Sequence, residues 1–184
     1  LHHRLPTMRA LLIVDMQNRL GASMPAEAWA STRATAVLLV RAAGELDLPV
    51  LVTRQHPKGL GDTVPELAAV LPDSSVTVDK TSFSSADAEG VRDALAMTGR
   101  NQVVVCGMEA HVCVLQTAVG LDALGFTPFV VADGVCSRSP AHRDNALERL
   151  GRGGIAVTNP ESCLFEWLRD ARHEHFRAVT SLIR

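Results

Sequence analysis

The chain has 184 residues, of which 47% are hydrophobic and 21% are charged, as in an ordinary globular protein. A formal net charge of −2 argues against the basic surface that nucleic-acid binding requires, and no apolar run approaches the ~20 residues needed to cross a bilayer. The length corresponds to one domain.

Apolar, β-rich runs alternate with helical patterns along the chain. In chain order the patterns predict strand 10–14, helix 26–46, strand 49–53, strand 76–78, helix 86–97, strand 102–106, helix 111–124, strand 129–132, helix 140–150, strand 155–157, and helices 161–171 and 175–183. Six strands separated by helices predict an α/β fold. We expect three α-β-α layers with a six-stranded parallel sheet in the order 3-2-1-4-5-6. The least regular stretch, residues 55–75, is rich in proline and glycine, as functional loops often are.

The domain is expected to span residues 8–184, with residues 1–7 as an N-terminal extension or an expression remnant. Residues 1–7 lack the apolar core of a signal peptide, so we expect a cytoplasmic protein. In that compartment the four cysteines are expected to be thiols. No two of them have the Cys-x-x-Cys spacing of a zinc site, and we expect neither a metal nor a cofactor.

Three polar residues lie at the predicted carboxyl edge of the sheet, where ligands bind in open parallel sheets. Asp15 directly follows strand 1, Lys80 follows strand 3, and Cys113 begins the helix after strand 4. A helix N-terminus and a nearby ammonium favour a thiolate, and a carboxylate can accept the thiol proton and return it to a leaving amine. Each residue also has a structural interpretation: an apolar filler for Cys113, a turn or N-cap for Asp15, and a solvated side chain for Lys80.

Three segments together resemble the isochorismatase-like cysteine hydrolase superfamily, in the order found in that family: residues 11–17 (LLIVDMQ), 79–84 (DKTSFS) and 106–113 (CGMEAHVC). Residues 55–61, 132–140 and 171–176 extend the likeness over nearly the whole chain from Met8. The pattern is similar to the branch that contains YcaC-type hydrolases and isochorismatase-domain-containing proteins.

The resemblance implies a role for each matching position. Cys113 would be the nucleophile, Asp15 the general acid/base, and Lys80 the group that orients Asp15 and stabilises the thiolate. A cis peptide between Met108 and Glu109 would aim the backbone N–H of Glu109, with that of Cys113, at a developing oxyanion. The implied reaction is hydrolysis of an amide-type C–N bond in a small molecule, through a thioester on Cys113, by a homo-oligomeric enzyme.

Other polar residues near these motifs are candidates for substrate contact: Gln17, Gln55, His56, Phe83 and Gln116. For His56 a structural role stays open, and for Gln116 burial against a neighbouring subunit. Glu109 either touches substrate or ends its strand. His111 is two residues from Cys113 and does not share its helical face, which favours a non-catalytic role. We also expect Asp133 to pair with Arg138.

Two alternative functions remain at this stage. One is a catalytically idle scaffold or binding protein that keeps the fold. The other is a nicotinamidase-like amidase, but those relatives bind a metal through an Asp-x-His pattern after strand 2, and the residues here are Arg54, Gln55 and His56. A single histidine cannot form a zinc site. The family's namesake lacks a cysteine at the position of Cys113, which argues against its vinyl-ether hydrolysis here.

Overall fold

The structure, a computed structural model, describes residues 9–184. The expectation for residues 1–7 therefore lies outside the described residues. Six parallel strands form one sheet in the order β3-β2-β1-β4-β5-β6, which confirms the predicted fold class. The strands are β1 (Arg9–Val14), β2 (Val50–Gln55), β3 (Val76–Lys80), β4 (Gln102–Met108), β5 (Thr127–Cys136) and β6 (Ala156–Thr158).

Helices cover both faces of the sheet. The longer ones are α2 (Ala26–Glu45), α5 (Glu89–Thr98), α6 (Leu115–Ala123), α7 (Pro140–Arg152) and α8 (Pro160–Leu168). The others are α1 (Asn18–Gly21), α3 (Pro57–Leu60), α4 (Pro65–Ala68) and α9 (Phe176–Thr180), with 3₁₀ turns at Ser85–Asp87 and Ser181–Ile183. Within residues 9–184, no helix combines the length and the hydropathy needed to span a bilayer.

The central strands are buried on both faces because each face has its own apolar layer. Every residue of β1 and β4 is buried. Leu11 and Ile13 pack with α2, α8 and α9, whereas Leu12 and Val14 pack with α5, α6 and α7. Alternating side chains of one strand thus anchor two helical layers, which is why the sequence of β1 is a continuous apolar run.

Gly107 allows β4 to run closely beside the end of β1. Its φ is +136°, and a Cβ placed there would lie 2.0 Å from the carbonyl oxygen of Val14. The pairing of β4 with β5 shifts register between Val105 and Gly107. This close approach brings the segment after β4 next to the segment after β1, where the polar residues predicted from the sequence lie.

Candidate active site

Asp15 is the first residue after β1 and lies at the carboxyl edge of the sheet. Its φ is +53°, a left-handed conformation that aspartate tolerates better than most residues. Its side chain is fully buried, and the hydroxyl of Thr53 donates a 2.8 Å hydrogen bond to Oδ1. A buried carboxylate needs compensating partners, and the second partner is a lysine.

Lys80, the last residue of β3, places its ammonium against the carboxylate. Nζ lies 2.8 Å from Asp15 Oδ2, and the exposed fractions of the two side chains are 1% and 0%. Nζ also donates to Gln55 Oε1 at 2.6 Å and to the carbonyl oxygens of Ser82 and Phe83 at 2.9 and 3.0 Å. An ammonium has three hydrogens, and four protein oxygens surround this one. Lys80 therefore has no donor left for a substrate.

Cys113 lies in a π-helical turn, Ala110–Val114, that joins β4 to α6. The residue is 6% exposed, and the carboxylate of Asp15 is near enough for its negative charge to act on the thiol. Burial and the negative charge of Asp15 raise the pKa of the Cys113 thiol to about 12, and the ammonium of Lys80 opposes this rise without cancelling it. These influences favour a protonated resting thiol, whereas position at a helix start favoured a thiolate.

The structure thus brings three residues that are far apart in the sequence to one place. The carboxylate of Asp15 is hydrogen-bonded to the ammonium of Lys80, and its negative charge acts on the thiol of Cys113. A proton that leaves the sulfur has an acceptor nearby, and the acceptor is held by a fixed cation. Such an arrangement suits a nucleophile that becomes anionic only as it attacks.

The peptide bond between Met108 and Glu109 is cis, as the family resemblance implied. The Glu109 carboxylate accepts hydrogen bonds from the backbone N–H and Nε of Arg138, both at 3.0 Å. The expected pairing of Arg138 with Asp133 is therefore wrong. β5 continues in extended form to Cys136, which carries Arg138 away from Asp133 and beside the end of β4.

His111 contacts groups away from the sulfur. Its Nδ1 lies 2.8 Å from the hydroxyl of Ser137, and its ring centroid lies 5.0 Å from that of His142. Among the hydrogen bonds of residues 9–184, none joins His111 to Cys113. This arrangement agrees with the non-catalytic role favoured from the sequence.

The two glutamines among the substrate-contact candidates have both ends of their side-chain amides engaged by the protein. Buried Gln17 donates to the carbonyl oxygens of Gln55 and Gly61 and accepts the N–H of Gln55. The amide of Gln55 accepts from Lys80 and donates to the carbonyl oxygen of Thr81 at 2.8 Å. Both residues therefore hold the loops of the site, and their contact with substrate stays a prediction.

The other three candidates are more accessible. His56 is exposed, has a φ of +37° and precedes α3, where its ring packs against Gly59. Phe83 is 55% exposed, and Gln116 is exposed on α6. Their positions leave substrate contact open to test.

A cavity of about 630 Å³ adjoins the site at β3. Its lining includes His56, Lys58, Lys80, Thr81 and Glu89. Cys113 is not part of this lining, so the cavity lies beside the nucleophile and not over it. Among residues 9–184, no group of three or more His, Cys, Asp or Glu side chains has the arrangement of a metal site.

Sequence reasoning missed Thr53 as a site residue. It was assigned only to strand 2, although its hydroxyl contacts the carboxylate of Asp15. The available signal was a polar residue at the carboxyl end of an otherwise apolar strand, next to strand 1.

Comparisons with known proteins find relatives of this chain in sequence and in fold. Residues 9–162 match the sequence profile of the Isochorismatase domain. The chain is 36% identical over 173 residues to isochorismatase domain-containing protein 2 of Xenopus laevis, covering 94% of this chain and 82% of that protein. It is 40% identical over 146 residues to isochorismatase domain-containing protein 1 of Salmo salar, covering 79% of this chain but only 51% of that longer protein.

Two solved structures have nearly the same fold. One, described as MAR1 ribonuclease from Caenorhabditis elegans, has a TM-score of 0.91 and 34% identity, and the match covers 98% of this chain and 91% of that one. The other is YcaC from Pseudomonas aeruginosa, described with hexane-2,5-diol and covalent acrylamide. Its TM-score is 0.88 at 27% identity, with 99% and 92% of the two chains covered.

Proposed function

This chain belongs to the isochorismatase domain family of hydrolases, and we propose that it cleaves an amide-type C–N bond of a small molecule with Cys113 as the nucleophile. The observation that carries the proposal is the buried thiol of Cys113 beside the enclosed Asp15–Lys80 ion pair, whose two charges both act on the thiol. Thiol, carboxylate and ammonium supply a nucleophile, a proton carrier and a fixed positive charge, which acyl transfer at an amide requires.

In the proposed first step, Sγ of Cys113 attacks the carbonyl carbon while its proton passes to Asp15. The carbonyl π electrons move to oxygen, and the backbone N–H groups of Glu109 and Cys113 are the proposed donors to that oxyanion. The adduct then collapses, the C–N bond breaks, and Asp15 gives its proton to the departing nitrogen. Ammonia or an amine leaves, and a thioester remains on Cys113.

In the second step, Asp15 takes a proton from water as the water oxygen attacks the thioester. The C–S bond breaks, the acid product leaves, and Asp15 passes the proton it took from water to the departing sulfur. Lys80 takes no part in proton transfer in this scheme, because its ammonium is bonded to protein oxygens throughout. Its positive charge stays beside the carboxylate of Asp15 throughout.

An ammonia-release screen over small amides, ureas and hydroxamates tests the proposal. We expect release that is abolished in Cys113→Ala and retained in Cys136→Ala, which removes a buried cysteine outside the group of Asp15, Lys80 and Cys113. Acrylamide is a matched chemical probe, since the Pseudomonas YcaC structure holds it covalently. Selective modification of Cys113 is expected. Equal modification of Cys136 and Cys163, together with no release from any amide, would contradict an activated nucleophile.

Cleavage of RNA is the competing candidate, because the Caenorhabditis elegans neighbour is described as a ribonuclease. The net charge of −2 argues against strong electrostatic attraction to a polyanion. An assay with labelled RNA separates the two functions. Cleavage that persists in Cys113→Ala would favour the nuclease, whereas stable RNA beside Cys113-dependent ammonia release would favour the amidase.

We further propose that the protein forms homo-oligomers. Three large apolar side chains are exposed: Val119 on α6, Leu124 in the turn after it, and Phe83 in the loop before α5. Patches of this kind commonly pack against another chain. Light scattering after gel filtration gives the mass of the particle. A monomer of 19.7 kDa at micromolar concentration would contradict the proposal.

A further inference from the structure

Two protein side chains donate hydrogen bonds to the carboxylate of Asp15. Its carboxylate is fully buried, Lys80 binds one oxygen, and Thr53 binds the other. The lysine has a role in the mechanism proposed above, but the threonine has none. Thr53 is itself fully buried on β2, so water cannot replace its hydroxyl if that hydroxyl is removed.

The surroundings of Thr53 fix the direction of its one hydroxyl hydrogen. The N–H of Asp15 is shared between the carbonyl oxygen and Oγ1 of Thr53, at 3.2 and 3.3 Å. The hydroxyl of Ser85 also donates to Oγ1, through a longer bond of 3.4 Å. With both of these groups donating to Oγ1, the hydrogen of Thr53 is left to point at Oδ1 of Asp15.

The chain of hydroxyl groups continues behind Ser85. Ser85 is fully buried, and its N–H is bonded to the hydroxyl oxygen of Thr117 at 2.8 Å. Thr117 is a buried residue of α6, the helix that follows Cys113. The carboxylate of Asp15 is therefore tied through two hydroxyl groups and a backbone N–H to the helix next to the nucleophile.

We infer that Thr53 is a positioning residue that donates a hydrogen bond to the Asp15 carboxylate and holds it in the orientation that faces the Cys113 thiol, with Ser85 supporting it. The inference rests on the proposed function in that it takes Asp15 as the proton acceptor of Cys113. The charged groups that face Asp15 and Cys113 are the ammonium of Lys80 and the carboxylate of Glu109. The guanidinium of Arg138 balances the charge of Glu109.

The test is the pH dependence of Cys113 modification by acrylamide, a neutral probe, followed by mass spectrometry of the modified peptide. Thr53→Val deletes the hydroxyl at nearly constant volume. The acid limb is the part of the pH profile in which the modification rate falls as the pH is lowered. Loss of a hydrogen bond to a charged group should move this limb up by about one pH unit, so the rate at a fixed pH on the limb falls about tenfold.

Three further variants separate positioning from general packing. Thr53→Ser keeps the hydroxyl and should restore the acid limb to within a few tenths of a pH unit. Ser85→Ala should give a smaller shift in the same direction. Thr180→Val removes another buried threonine hydroxyl, which bonds only within the C-terminal helix α9, and should leave the limb in place while lowering thermal stability.

Asp15→Asn distinguishes failure of this inference from failure of the proposed function. If Asp15 is the acceptor, this variant loses the acid limb and keeps only the rise of rate at alkaline pH where the Cys113 thiol itself ionises. An unchanged limb in Asp15→Asn would overturn the proposed function. Loss of the limb in Asp15→Asn, with an unchanged limb in Thr53→Val, would overturn only the role of Thr53.

Discussion

Replacing Lys80 with methionine removes the cation from a fully enclosed ion pair while keeping a long apolar side chain. The ammonium makes four hydrogen bonds, of 2.8, 2.6, 2.9 and 3.0 Å, to oxygens of the site. Methionine replaces none of them, and Asp15 becomes a buried charge without its cation.

Removing one partner of a buried ion pair costs about 3–5 kcal/mol. In a domain of this size each 1 kcal/mol lowers the melting temperature by roughly 2–4 °C, so Lys80→Met should melt roughly 6–20 °C below the wild type. Because total domain stability is about 5–15 kcal/mol, the variant should remain at least partly folded. Urea unfolding followed by circular dichroism gives the free energy directly.

The chain has one other lysine, Lys58, which is exposed on α3 and provides a matched control. Lys58→Met should change the free energy of unfolding by less than about 0.5 kcal/mol. Adding Asp15→Asn to Lys80→Met removes the uncompensated charge and should recover part of the loss. A loss below 1 kcal/mol in Lys80→Met, or no recovery in the double variant, would refute this account.

Three more predictions follow from contacts described above. Gln17→Leu leaves an N–H and two carbonyl groups of the backbone without their side-chain partner, so it should lower the free energy of unfolding in urea by about 2–4 kcal/mol. The control Gln116→Leu should lower it by less than about 0.5 kcal/mol. Gly107→Ala forces a Cβ against the Val14 carbonyl at a φ of +136°, so it should sharply reduce the yield of folded protein, whereas Gly151→Ala on α7, which meets no atom within 4 Å, should not. Burial raises the pKa of Cys113 from 9.0 to about 12, so the contribution of its neutral thiol is complete below pH 9 and is lost as the pH rises toward 12. The free energy of unfolding should therefore decline over that interval, and less steeply in Cys113→Ala; equal slopes would count against a protonated resting thiol.

The sheet was predictable from the sequence where apolar runs are continuous. β1 and β4 were located because strands buried on both faces must be apolar throughout. β5 was predicted to end at residue 132, yet it extends to Cys136 through Asp133 and Gly134. Pairing with β4, and not local side-chain preference, holds this polar half of the strand in extended form.

The short helices could not be predicted in the same way. α1, α3 and α4 have four residues each, too few for a periodic pattern to be visible. They form because tertiary contacts fix the loop, such as the three bonds from Gln17. In isolated peptides of this length a helix is not stable.

At the candidate site, strand ends located Asp15, Lys80 and Cys113, because parallel strands place their carboxyl ends at one edge. The protonation state of Cys113 was not predictable from the same reasoning. Position at the start of a helix accounts only for influences that lower the pKa of the thiol. Burial and the facing charge of Asp15 raise this pKa, depend on the packed structure, and outweigh those influences. The pairing of Glu109 with Arg138 depends likewise on the length of β5, which the sequence underestimates.

The enclosure of Lys80 also makes its amine invisible to chemical labelling. An acylating reagent such as an N-hydroxysuccinimide ester should modify Lys58 in the native protein and spare Lys80. Acylation of Lys80 then requires the loop after β3 to open, since Ser82 and Phe83 bind its ammonium. With only two lysines, the ratio of the two modifications measures how often this part of the molecule opens, with an internal standard in the same chain.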